Sequence, residues 1–245
     1  NRAVLNNGTI ASVRNTLEVT NEEPIQGDVT PPSITELRQL ISGAQAAQNR
    51  AVTAEDFKTL VLSMPPKFGG VKRCTVIQDV DSNLRNINIY IINQANNGTL
   101  EPTNTVLKEN IKTWLNTKRM INDSVDILDA KVVNLGVRFS AIASNNENKT
   151  VVFDRVQQRM NEYFATKLDI GESFGITDLY SLINSTPGIV DATFVRVFQK
   201  TGAGYATTNF NVKNFTTPDG RFITAPKNVI FEVKFPSADI EGTIR

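Results

Sequence analysis

Three acidic and amide residues have the spacing that opens a calcium-binding loop. Asp79, Asp81 and Asn83 alternate with other residues, as the first three ligands of such a loop do. The glycine expected at the sixth position is Leu84, and the glutamate expected at the twelfth is Tyr90. Because both defining positions are absent, we interpret this segment as a polar turn between two strands.

Two glycine-containing segments have part of the pattern of a phosphate-binding loop. Gly202 and Gly204 follow a strand-like segment, but Thr207 stands where a dinucleotide-binding turn has its third glycine, and no apolar helix follows. Gly69 and Gly70 precede a strand, whereas phosphate-binding loops precede the N-terminus of a helix. Both segments are therefore interpreted as ordinary loops, and the sequence predicts no cofactor.

Asp123, Asp126 and Asp129 form the remaining candidate cluster, since carboxylate oxygens are the ligands that Mg²⁺ takes. They surround the start of a predicted strand, where acidic side chains are commonly solvated. The chain has no histidine, which removes the usual zinc ligand and the commonest general base. Serine or cysteine nucleophiles activated by histidine are excluded for the same reason. We predict a non-enzymatic protein without a metal site.

The charge balance, the apolar runs and the cysteine count limit which classes of partner and cellular location we expect. Twenty-six Lys and Arg against twenty-five Asp and Glu give a net charge of +1. This balance gives no electrostatic case for nucleic acid or an anionic membrane as the principal partner. No apolar run approaches the roughly 20 residues of a membrane helix. A single cysteine, Cys74, fits assembly in the cytoplasm. Since the chain starts with Asn1 rather than Met, we expect it to be part of a longer polypeptide.

The polar, turn-rich segment 200–227 carries four aromatic residues: Tyr205, Phe210, Phe215 and Phe222. A connection this long inside a compact domain is usually functional or disordered. Aromatic side chains often anchor partners, so these four are the candidate partner-interface residues. The alternative is that they fold back and cover their own sheet. The sequence does not decide between the two.

A long strand and the helix after it, within residues 126–164, are predicted to be the framework that positions these segments. The apolar residues of the strand alternate, which predicts one buried face: Val133, Leu135, Val137, Phe139 and Ala141. The opposite face carries Asn134, Gly136, Arg138 and Ser140. The helix has its apolar residues at spacings of three and four: Val152, Phe153, Val156, Met160, Tyr163 and Phe164.

Other elements follow from caps, prolines and periodicity. Ser33 and Glu36 predict a capped helix with the apolar stripe Ile34, Leu37, Leu40 and Ile41. Thr53 opens a second helix with the buried side Phe57, Leu60, Val61 and Met64, which Pro65 ends. A third helix, 105–118, presents Val106, Leu107, Ile111, Trp114 and Leu115 on one face, and a short helix covers 177–184. Strands are predicted at 71–78, 87–92, 189–199 and 229–235.

These elements predict an α+β protein, because helices and strands mix without regular βαβ spacing. We expect two mixed helix/sheet lobes joined through the long strand and the amphipathic helix. The expected divisions are an extended lead-in segment at 1–32, a first lobe at 33–145, and a second lobe at 146–245 with a long insert near 200–227.

Two stretches resemble one family of proteins. The first is Gln-Asn-Arg-Ala-Val-Thr-Ala-Glu-Asp-Phe at 48–57, followed by a helix, Pro65 and a strand. The second is the order of helix, Arg119, long strand and helix, followed by Ser-Thr-Pro-Gly-Ile-Val at 185–190. Together they resemble the J-like baseplate wedge proteins of contractile-tailed bacteriophages, most like the C-terminal part of the T-even-type version. The resemblance spans residues 34–199.

The resemblance implies a structural subunit of the virion tail baseplate, present in several copies. Such a protein pairs with itself and with another wedge protein, joins wedges into a ring around the tail hub, and takes part in the rearrangement that triggers sheath contraction. Segment 200–227 is longer than expected of the smaller relatives, which leaves its partner open. The alternative is a sugar- or metal-binding module of a phage or surface appendage. The absence of histidine and the single tryptophan, Trp114, count against it.

Overall fold

The computed structural model describes residues 33–79, 86–95, 98–145 and 147–245, without the side chains of residues 165–167. The helices are α1 (Ile34–Ala47), α2 (Ala54–Leu62), α3 (Thr105–Asn116), α4 (Lys149–Lys167), α5 (Ile176–Asn184) and α6 (Pro236–Asp239). The strands are β1 (Arg73–Gln78), β2 (Asn86–Gln94), β3 (Leu100–Glu101), β4 (Ser124–Asp129), β5 (Lys131–Ala143), β6 (Phe174–Gly175), β7 (Ile189–Gln199), β8 (Phe222–Ile223), β9 (Val229–Glu232) and β10 (Ile240–Ile244). The α+β class is therefore confirmed. The predicted lead-in 1–32 lies outside the described residues, and the division into two lobes stays a prediction.

The first sheet is built around β2. Strand β1 pairs with it antiparallel on one side, β4 pairs with it parallel on the other, and β3 pairs with its last residues. Helices α2 and α3 pack against this sheet and bury their apolar residues with those of the strands. Phe57, Leu60, Val61 and Met64 are all buried, as the sequence predicted.

The second sheet is built around β5. Strand β7 pairs with it antiparallel, while β9 lies parallel to its first residues and β10 lies parallel to its last. The apolar residues of α4 fill the core on this sheet: Val152, Val156, Met160 and Phe164 are buried. The predicted strand and helix are confirmed by this packing, and their role as the joint between two lobes stays a prediction.

A single residue, Ala130, separates β4 of the first sheet from β5 of the second. The Ala130 N–H donates to the Ile91 carbonyl in the first sheet at 2.8 Å, and the Lys131 N–H donates to the Asn228 carbonyl beside the second at 2.9 Å. Ala130 is buried in a small apolar cluster with Ile92 and Leu100 on one side and Ile230 on the other. The chain therefore passes from one hydrogen-bonded sheet to the other within one residue.

The helix starts are capped as predicted. Ser33 accepts from the Glu36 N–H and the Glu36 carboxylate accepts from the Ser33 N–H at 2.7 Å, which completes a capping box. Thr53 and Asp56 form a second capping box at the start of α2. Each box satisfies two backbone donors that a helix start would otherwise leave without a partner.

Several predicted faces are wrong. Asn134 and Gly136 are buried, so β5 is covered on both sides along its first half. Val106 is exposed at the start of α3, although it was predicted on the apolar face. The last predicted strand, 229–235, ends at Glu232, and Phe235 is exposed. Periodicity gives the direction of a side chain, but long-range contacts decide what covers it.

Candidate functional site

The residues that suggested metal or phosphate chemistry are not brought together in the described part of the chain. Asp126 accepts from the Asn86 side-chain amide at 2.9 Å, whereas Asp129 forms an ion pair with Lys108 at 2.6 Å. Residues three apart on a strand point to opposite faces, so these two carboxylates diverge. Within the described ranges, no three His, Cys, Asp or Glu side chains group closely enough to share a metal ion.

The other motifs behave as loops. Gly69 follows a 3₁₀ turn at Pro66–Phe68 and has a positive φ of 104°. Gly202 and Gly204 lie in a turn after β7, also with positive φ. No helix starts at either segment, so neither has the geometry of a phosphate loop. The interior of the calcium-like motif, Asp81 to Leu84, lies outside the described residues.

Of the four candidate interface aromatics, three have a side-chain hydrogen bond or a ring contact within the chain. The Tyr205 hydroxyl donates to the buried Asp239 carboxylate at 2.6 Å, and this hydrogen bond, with burial, raises the pKa of Tyr205 to about 12. Phe210 is buried and stacks on Phe215 with ring centroids 4.5 Å apart. Phe222 is 42% exposed. The interface role predicted for these residues stays a prediction, and Phe222 is the most exposed of the four.

A buried polar junction, which sequence reasoning missed, joins the two sheets to segment 200–227. The Glu232 carboxylate accepts from the Leu100 N–H and from the Asn134 side-chain amide, each at 2.7 Å. The side-chain amide oxygen of Asn134 accepts from the Ala206 N–H at 2.7 Å. Glu232 is 8% exposed and Asn134 is 1% exposed. The one signal in the sequence is a glutamate among the apolar residues of 229–233, and it does not reveal these partners.

Burial raises the pKa of Glu232, and the hydrogen bonds from Leu100 and Asn134 oppose that rise. The charges of Lys234 and Arg73 oppose it further. Because the folded pKa exceeds the unfolded one, this group's contribution to stability is fully present below the unfolded pKa. It is lost as the pH rises through the folded pKa.

We therefore expect the wild type to lose stability relative to Glu232→Gln as the pH rises through the folded pKa of Glu232. Urea unfolding at several values between about pH 4 and pH 8 measures this difference. Glu241→Gln is the matched control of opposite sign, because hydrogen bonds from Arg138 and Lys200 lower the pKa of Glu241. A difference for Glu232→Gln that does not change with pH would contradict the raised pKa of Glu232.

A cleft of about 310 Å³ opens beside this junction, between the two sheets. Strand β1, the connection from β2 to β3, helix α4 and the end of β9 contribute to its walls. Its polar lining includes Arg73, Gln94, Asn161, Glu232 and Lys234. The cleft is the concave place in the described structure where charged side chains from both sheets converge.

The exposed surface carries an apolar stripe along α1. Ile34, Leu37 and Ile41 are exposed, Ile34 by 72% and Ile41 by 66%. The helix is held to α2 on its other side, where a Cβ on Gly43 would lie only 2.6 Å from the Thr59 hydroxyl oxygen. The stripe predicted from the sequence is thus present but faces away from the core.

The sequence matches no protein-family model and no curated protein. Among solved structures, a chain of the anti-feeding prophage baseplate, determined by cryo-electron microscopy with sixfold symmetry applied, has a similar arrangement of elements, with a TM-score of 0.53. The fold resembles that of a baseplate chain.

The likeness to the baseplate chain covers 82% of this protein and 41% of that chain, at 12% sequence identity. This protein therefore spans about two fifths of the length of the baseplate chain that it matches. At that identity the likeness concerns the fold. Among the described helices, none is both long and apolar enough to cross a membrane.

Proposed function

We propose that this protein is a non-enzymatic structural subunit of a contractile-tail baseplate. The observation that carries the proposal is the fold, which matches a baseplate chain over 82% of this protein. Function argued from fold is an analogy, so the surface of this protein must supply the specific contacts. The motif resemblance to wedge proteins in segments 48–57 and 185–190 supports the same reading.

In this proposal the protein sits in the baseplate of the virion tail after assembly in the host cytoplasm. It pairs with itself and with a second wedge protein, helps to close a ring around the tail hub, and changes its contacts when the sheath contracts. Exposed aromatic residues suit such contacts because interfaces are enriched in them, and an exposed apolar stripe suits them because its burial is favourable. Phe222 and the stripe on α1 are the surfaces that we assign to assembly.

We assign the self-contact to α1. Ile34, Leu37 and Ile41 recur at spacings of three and then four residues, which is the spacing of the seam between two packed helices. The same residues are exposed in the single chain. A second copy of α1 laid against the first would remove these apolar side chains from water, at about 25 cal/mol per Å² of apolar surface buried.

We expect the chain to associate with itself as its concentration rises, and Ile34→Ser with Ile41→Ser to weaken that association about tenfold or more. Sedimentation equilibrium over a wide concentration range measures the dissociation constant. The control replaces Thr35 and Gln39, polar exposed residues of the same helix that lie off the stripe, by serine. A chain that stays monomeric at every concentration would contradict self-pairing, and equal weakening in both double variants would contradict the assignment to the stripe.

A further inference from the structure

The cleft between the two sheets holds two cations that form no close ion pair with another described residue. Arg73 of β1 and Lys234, two residues after β9, are both half-buried and both line the cleft. The ion pairs among the described residues involve neither of them. The Lys234 ammonium also lies over the Phe235 ring, at 5.8 Å from the ring centroid.

The charges of Arg73 and Lys234 favour the ionised form of Glu232, but its single negative charge offsets only one of the two. Both of its oxygens are used by donors inside the junction, the Leu100 N–H and the Asn134 amide. The cleft is therefore lined by one buried carboxylate and two positive side chains, which gives it a net positive charge. Half-buried cations without a close ion pair have lost hydration that Glu232 compensates only in part, so an anion that enters the cleft is favoured.

We propose that the cleft binds the carboxylate of an acidic side chain on an assembly partner. The Arg73 guanidinium offers two parallel N–H donors, which match the two oxygens of a carboxylate, and Lys234 adds a second positive contact. Asn161, exposed on α4 at the rim, brings an amide donor. A volume of about 310 Å³ admits one such side chain. This inference rests on the proposed function, because it names the chemistry of the partner that the assembly brings.

The test is a titration followed by nuclear magnetic resonance on the full chain. The probe is glutamate with both backbone ends blocked, at constant ionic strength; the neutral comparison is the same compound made from glutamine. We expect saturable shifts in the signals of Arg73 and of the backbone amides 98–101 and 232–234 with the glutamate probe only. Arg73→Gln with Lys234→Gln should weaken binding at least about tenfold. Lys112→Gln with Arg221→Gln, exposed cations outside the cleft lining, should leave the affinity unchanged.

Three results would overturn the inference: no saturable shifts, equal binding of the glutamine probe, or equal weakening in the control double variant. Inorganic phosphate is titrated in parallel, and binding of phosphate without binding of the glutamate probe would also overturn it. Circular dichroism establishes that each variant is folded. Binding of this small probe is measured independently of self-association. If the probe does not bind while the chain still self-associates, only the cleft inference is overturned, and the proposed function stands.

Discussion

Replacing Phe210 by alanine should lower the free energy of unfolding by about 3–5 kcal/mol, the range for truncating a buried phenylalanine. Its ring is buried, stacks on Phe215 and meets Phe231 edge to face with centroids 5.4 Å apart. Its backbone N–H donates to the Gln199 side chain at 2.9 Å. Segment 200–227 therefore supplies part of the core of the second sheet, and urea unfolding followed by circular dichroism measures the loss.

The matched control is Phe222→Ala in the same segment. Phe222 is 42% exposed, so its truncation should change the unfolding free energy by about 1 kcal/mol or less. Equal losses at the two positions would contradict the packing described for the segment. The same packing means that deleting the whole segment would expose the core, so point variants of exposed residues are the cleaner way to find a partner surface.

Gly242→Ala should cost about 1–3 kcal/mol, the range for overpacking a filled core. A Cβ at this position of β10 would lie 2.3 Å from the Phe139 ring and 2.8 Å from the Phe153 ring. Phe139 is itself buried and stacks on Phe153 at 6.0 Å between centroids, so it has little room to move. Urea unfolding of the variant measures the cost.

Thr243→Ala is the control for Gly242→Ala, because Thr243 is the next residue of the same strand and is exposed. It should change the unfolding free energy by about 0.5 kcal/mol or less. Phe139→Leu combined with Gly242→Ala tests the cause directly. If the clash with the Phe139 ring is responsible, Gly242→Ala should cost less in the Phe139→Leu background than in the wild type; the same cost in both backgrounds would contradict it.

Local rules predicted much of the fold. The capping boxes at Ser33 and Thr53, the stop at Pro65 and the apolar face of α4 all depend on residues within a few positions of one another, where spacing is informative. Whether the apolar stripe of α1 is buried or exposed was not predictable in this way. Spacing indicated that Ile34 and Ile41 share a face, but only the position of α2 shows that the face is exposed.

The polar junction lay beyond sequence reasoning for a related reason. Glu232 and Asn134 are 98 positions apart, and the third group, the Leu100 N–H, is a backbone atom that no side-chain pattern identifies. A polar residue on a strand is ordinarily read as solvent-facing. It becomes buried here because β5 and β9 are covered on both sides. Likewise, Arg73 and Lys234 meet in one cleft only through the arrangement of two sheets.

The passage at Ala130 has a mechanical consequence. The backbone N–H groups of the consecutive residues Ala130 and Lys131 are hydrogen-bonded on different sheets. No flexible linker therefore separates the two sheets along this strand. Tension applied along this strand is passed directly from the ladder of β4 with β2 to the ladders of β5 with β7 and β9. Rows of hydrogen bonds loaded along the strand must yield together rather than one after another. The continuous strand is thus a stiff connection, which transmits tension from one sheet to the other with little extension.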